Sequence, residues 1–249
     1  LMQQAARHAL GKSVSTQRLI ELTGDEKVET RLAAILLLRD PQFRTPSLVE
    51  QLTPDQRDAV ITHAIKDSDS QVRFAAVDWI GREQLEQFRQ PLIDGLSRRA
   101  STPELFEAHL AALAMLDGVL EHWSMSTSGD WWVNKSGSQR YVSPLLDARN
   151  ASPAVLKQVL RFLPPKHPAL TVERLLGLLD RGDLAVRIAV AQVLSVHPDP
   201  AAHVLLIDLA EDQVVDDRLR CEAIVGLDPG LTTDRNLLLR LAGEPSPKV

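Results

Sequence analysis

The chain has 249 residues, 44 % of them apolar and 24 % charged, with a formal charge of −5, the profile of an ordinary soluble globular protein. The acidic balance argues against a general nucleic-acid binder, which carries a basic excess or stripe. No apolar run approaches the ~18 residues of a membrane span, and a single cysteine, Cys221, excludes an internal disulfide framework.

From the N-terminus the chain alternates two kinds of amphipathic stretch. The first kind covers 17–22, 56–65, 84–96, 142–148, 172–179, 201–209 and 235–241, with apolar residues recurring every three or four positions, as a one-sided helix demands. The second kind is more uniform. Residues 31–38 read RLAAILLL, 73–80 RFAAVDWI, 187–194 RIAVAQVL and 220–227 RCEAIVGL. Two further segments fit with a changed anchor: 109–116, HLAALAML, with His109 for Arg, and 156–163, LKQVLRFL, with Leu156. The six anchors lie 42, 36, 47, 31 and 33 residues apart. Self-similarity on this scale is the signature of stacked two-helix repeats.

The turns carry helix-start chemistry. Asp69, Asp183 and Asp216 each stand four residues before an anchor arginine, where a carboxylate accepts from free amides of the first turn. Thr102-Pro103 and Ser152-Pro153 pair a hydroxyl cap with proline at the first helical position. Small residues after the anchors (Ala33, Ala34, Ala75, Ala76, Ala111, Ala112, Ala189, Ala223) predict close helix approach. Cys221 shares the slot of Leu32, Phe74 and Ile188 and is expected as a buried packing residue. His109 is expected as a hydrogen-bonding filler at a repeat junction.

One segment breaks the pattern. Residues 122–141 are rich in Gly and Ser and not periodic, yet they hold Trp123, Trp131, Trp132 and Tyr141, three of the four tryptophans and the only tyrosine. Two readings stand: the aromatics fold back into the groove between helix pairs, or they contact a partner, since aromatics dominate interface energetics. Elsewhere chemistry is sparse. Gly11-Lys12-Ser13 has Ala6 where a phosphate-binding loop needs its first glycine, and none of the seven histidines stands at ligand spacing from another His or from Cys221.

The Asp-x-x-Val-Arg-x-x-Ala pattern, seen at 69–76 and, with Val190 in the last place, at 183–190, resembles a HEAT-type repeat. The resemblance implies an all-α fold, a right-handed α-α superhelix (HEAT-like solenoid) of about six to seven helix pairs, forming one repeat domain over 1–249 with the 122–143 aromatic-rich insertion within it. It also implies an Asp–Arg ladder between repeats through Asp69, Arg73, Asp183, Arg187, Asp216 and Arg220, interrupted mid-chain at His109 and Leu156. A narrower resemblance rests on 102–118 and 163–170: both look like the HEAT segment of large exported bacterial proteins typical of planctomycetes, which join a propeller, helical repeats and a c-type haem domain. It implies a periplasmic or otherwise exported spacer cut from a longer chain, with a cytoplasmic location as the alternative. No Cys-x-x-Cys-His occurs here, so no haem attaches covalently within this segment.

The function expected from these features is a non-catalytic scaffold that contacts a protein or other domains of its own chain, with no cofactor, metal, nucleic acid or membrane insertion in this segment. Trp123, Trp131, Trp132 and Tyr141 are the expected partner contacts. The alternative is a HEAT-type enzyme, a DNA glycosylase using Asp130, Trp131 and Trp132 or a chromophore lyase.

Overall fold

The computed structural model describes residues 13–43, 51–97, 102–118, 123–125, 131–133, 139–148 and 151–243; for 123–125, 131–133 and residues 43 and 181 only the backbone is described. Among these residues the chain forms thirteen α-helices and one two-stranded hairpin, an all-α fold of neighbouring helix pairs. None of the described helices is long and apolar enough to cross a membrane.

The chain divides into two compact units, 1–141 and 142–249, each described by itself. The division falls where the repeat pattern is weakest. In place of a full first helix stand only the four-residue α7 (Gln139–Val142) and a 3-10 turn, Ser143–Leu146. Elements this short commit only Val142 and Leu146 to a core.

In the first unit, α1 (Thr16–Leu22) pairs with α2 (Val28–Arg39), α3 (Pro54–Ala64) with α4 (Ser70–Arg82), and α5 (Arg89–Leu96) with α6 (Pro103–Leu116). The second helices of the pairs stack directly, α2 on α4 on α6. Local chemistry fixes each start. Thr53 and Gln56 form a capping box, Asp69 accepts from the Gln71 and Val72 amides, and the Thr102 hydroxyl accepts from Leu105 N ahead of Pro103. The stacking is tight because the anchor helices turn small residues inward. Ala34 and Ala76 are fully buried, and a Cβ added at Gly81 would meet Met115 Sδ at 2.9 Å and the Ala112 Cα at 3.1 Å. Around them Ile35, Leu37, Trp79, Ile80 and Phe106 are buried, each aliphatic or Phe side chain contributing about 1.5–3 kcal/mol. His109 is buried, its Nδ1 2.8 Å from the Leu105 carbonyl and its ring pressed on Gly95 at the α5–α6 contact, the place of a junction filler.

The insertion contains regular backbone that its composition does not announce. Strands β1 (Trp123–Met125) and β2 (Trp131–Val133) pair antiparallel, with Ser124 opposite Trp132 and Met125 opposite Trp131.

The second unit repeats the scheme with α8 (Pro153–Phe162), α9 (Val172–Arg181), α10 (Leu184–Leu194), α11 (Pro200–Glu211), α12 (Asp217–Val225) and α13 (Thr232–Ala242). Its anchor helices stack α8 on α10 on α12. Ser152, Thr171, Asp183, Asp199 and Asp216 cap the helices that follow them. The last helix is tied down by Asp234, wholly buried, which accepts from the Asp228 amide at 2.9 Å and lies 3.0 Å from His203 Nε2 on α11.

Candidate functional site

The anchor helices leave one arc uncovered, and it is this arc that offers a surface. At 3.6 residues per turn, each residue advances about 100°. In α2 the buried set Arg31, Ala33, Ala34, Ile35, Leu37 and Leu38 covers one side of the helix. Positions one, five and eight after the anchor fall together on the other side: Leu32, Leu36 and Arg39. In α4 the matching positions are Phe74, Asp78 and, one step further round, Arg82. These residues, with Gln71 and Ala75 of α4 and Thr102, Glu104 and Leu105 at the start of α6, line a groove of about 720 Å³. Its floor is apolar, with Phe74 44 % exposed. One end is charged: Asp78 accepts from both Arg39 and Arg82 Nε, and Arg39 also holds Asp40 at 2.7 Å. The hydrogen bond and charge of Asp78 raise the Arg82 guanidinium above its ordinary value.

This arc corrects the expectation for Cys221. The slot it shares with Leu32, Phe74 and Ile188 is the open one, and Cys221 is exposed. Leu32 and Ile188 are half-buried. The slot adjoins the buried alanines in sequence but lies a quarter turn away from them.

Of the aromatics expected to meet a partner, Tyr141 is described with its side chain; the side chains of Trp123, Trp131 and Trp132, and all of Asp130, lie outside the described residues. Tyr141 belongs to an ionic knot at the root of the insertion. Asp117, which ends α6, has a side chain only 8 % exposed. It accepts from Arg89 Nη1 at 2.7 Å and from the Tyr141 hydroxyl at 2.9 Å, and it pairs with Arg140. Arg89 also donates to the Tyr141 oxygen at 2.6 Å and to Glu86 at 2.8 Å. Burial pushes the Asp117 carboxyl up, but hydrogen bonds from Arg89, Tyr141 and Arg140 outweigh it and hold it below the usual carboxylate range. Bonds to Glu86 and Asp117 raise Arg89 far above its ordinary value. One buried carboxylate thus joins the end of α6 to two residues near the C-terminal end of the insertion.

The ladder residues separate into two roles. Asp69, Asp183 and Asp216 are helix caps. The rung between repeats is formed by a different aspartate, Asp67, which takes Arg31 Nε at 2.7 Å and Nη2 at 2.8 Å. Arg73 donates to the Asp67 and Ser68 carbonyls, and Arg220 to the Ala210 carbonyl. The Arg187 side chain makes no hydrogen bond or ion pair among the described residues, and its Nε is buried. Residue spacing alone marks every Asp four before an Arg, and a cap satisfies that spacing as well as a rung does. His203–Asp234 also escapes the sequence, since its two members stand 31 residues apart on different repeats.

Among the described residues no three His, Cys, Asp or Glu side chains gather as for a metal ion. No family model matches the chain, and no curated protein matches it significantly.

Proposed function

We propose that the chain is a HEAT-like scaffold whose work is to hold another polypeptide, or another domain of its own chain, in the groove across α2, α4 and α6. The observation that carries this is the apolar floor of exposed Phe74 and half-buried Leu32 and Leu36 on an otherwise tightly packed helix stack. Exposed apolar surface rimmed by polar groups marks contact sites. The charged end suits a polypeptide: apolar side chains can lie over Phe74 while Gln71 and Arg82 meet polar groups at either end. The arginine four residues after each cap, at Arg31, Arg73, Arg187 and Arg220, supports the HEAT-like reading. The likeness of 102–118 and 163–170 to exported proteins with propeller and haem domains supports a periplasmic spacer role, the partner then being a neighbouring domain.

A photo-crosslinking residue at position 74 tests the proposal in cells that make the native protein. Crosslinks should concentrate on one polypeptide segment and fall sharply when Leu36→Glu charges the floor. Diffuse crosslinking insensitive to Leu36→Glu would sink it. So would turnover of a damaged base or a tetrapyrrole that vanished on substitution of Asp130, Trp131 or Trp132.

A further inference from the structure

The groove across α2, α4 and α6 has a polarity. α4 and α6 run the same way, because Gly81 near the end of α4 lies against Ala112 and Met115 near the end of α6. Glu104, exposed in the first turn of α6, therefore lies toward the start of α4. Arg82, the last residue of α4, lies at the opposite end. Both residues line the groove whose floor is Leu32, Leu36 and Phe74, so its two ends ask for opposite charges.

The two arginines at the charged end are used differently. The Arg39 side chain is 13 % exposed and is spent inside the protein: Nη1 donates to Asp78, Nε and Nη2 to Asp40. The Arg82 side chain is 60 % exposed, and Asp78 takes only its Nε, at 3.0 Å. Its Nη1 and Nη2 donate no hydrogen bond among the described residues. A guanidinium held at Nε keeps that far edge for a second acceptor, and two parallel N–H groups match a carboxylate taken on both oxygens. The bond to Asp78 already restrains the fork, so less side-chain freedom is lost when the edge is used. Arg39, Asp40 and Asp78 lie deeper than Arg82, and the outermost charge at this end is therefore positive.

Spacing sets the form of the occupant. Phe74 stands eight residues before Arg82 on one helix, about 12 Å along its axis. Leu32, Leu36 and Arg39 on α2, and Phe74, Asp78 and Arg82 on α4, recur at steps of three or four residues. Ridges of that period seat the side chains of another helix between them.

We propose that the occupant of the groove is an amphipathic helix of a partner polypeptide that sets an Asp or Glu side chain on Arg82, seven or eight residues from the apolar side chain covering Phe74. The proposal rests on the groove reading above and names what enters it. The acidic residue belongs at the Arg82 end alone, since Glu104 repels it from the other.

The test selects random 16-residue peptides, displayed on phage, against the immobilised full chain. Enriched peptides should pair an apolar residue with Asp or Glu seven or eight positions away. The same selection on Arg82→Glu should enrich Lys or Arg at that position instead. For the tightest peptide, replacing its acidic residue by the matching amide should weaken binding about fivefold to the parent and leave binding to Arg82→Gln unchanged, read by fluorescence anisotropy. Arg82 is exposed and bonded only to Asp78, so both variants should keep the parent's circular dichroism. Enriched peptides with no charge preference at that position, or an acidic preference that survives Arg82→Glu, would overturn the assignment. An extended consensus containing proline would overturn the helical occupant. In each of these cases the groove reading stands as long as Leu36→Glu abolishes the enrichment. Enrichment that Leu36→Glu leaves untouched, or none on the parent, would overturn both.

Discussion

Replacing Asp67 by alanine should be among the most damaging single changes in the first unit. The Arg31 and Asp67 side chains are only 11 % and 4 % exposed, and they meet through two charge-assisted bonds of 2.7 and 2.8 Å. Asp67 also accepts from Asp69 N at 2.8 Å, ordering the turn that caps α4. Truncation would leave Arg31 with its two carbonyl acceptors but no counter-charge, and removal of one member of a buried pair costs about 3–5 kcal/mol. Asp67→Asn keeps an oxygen for the turn and removes the charge, so it should lose less than the alanine variant. Arg31→Met with Asp67→Leu, which removes both charges, should recover much of the loss. The pH dependence has a definite sign. Burial raises the Asp67 carboxyl, but the Arg31 and Asp69 hydrogen bonds outweigh it and set it below its ordinary value. Its contribution is therefore complete above the unfolded carboxyl's pKa of about 3.9 and disappears as pH falls through the lower folded value. Urea unfolding at pH 7 and pH 3, with hydrogen exchange over 54–82, measures all four quantities. A loss below about 1 kcal/mol for Asp67→Ala, the range of exposed ion pairs, would refute the reasoning.

Three further outcomes follow from the packing. Gly95→Ala would drive its Cβ into the buried His109 ring and should cost about 1–3 kcal/mol by urea melt, with partial recovery on adding His109→Ala. Thr53→Ala removes one half of the α3 capping box and should cost about 1 kcal/mol, with faster amide exchange confined to the first turn of α3. Asp117→Asn should loosen the root of the insertion, seen as faster amide exchange in 139–142. The parent should show the same loosening only as pH falls below about 4, since its depressed carboxyl must first be protonated.

The helix pairs were legible because two independent local signals coincide: a three-to-four-residue apolar period and a side-chain cap at the turn. Asp69, Asp183 and Asp216 are found at the helix starts that their spacing to the anchors indicates. What spacing could not separate was cap from rung, because Asp67 and Asp69 are the same residue type two positions apart in one turn. Nor could it see that the slot of Phe74 and Cys221 faces outward, since a single apolar residue adjoining two buried alanines reads as core. The His203–Asp234 pair and the Asp117 knot are tertiary facts joining residues 24 to 31 positions apart, and no window of sequence contains them.

The knot at Asp117 has an engineering consequence. Because Arg89 anchors the carboxylate from α5, the end of α6 and the residues of α7 are tied together at one place. The stretch from 119 to 138 can then be treated as an exchangeable cassette: foreign peptides grafted between Gly118 and Gln139 would start and finish at set positions whatever their own conformation.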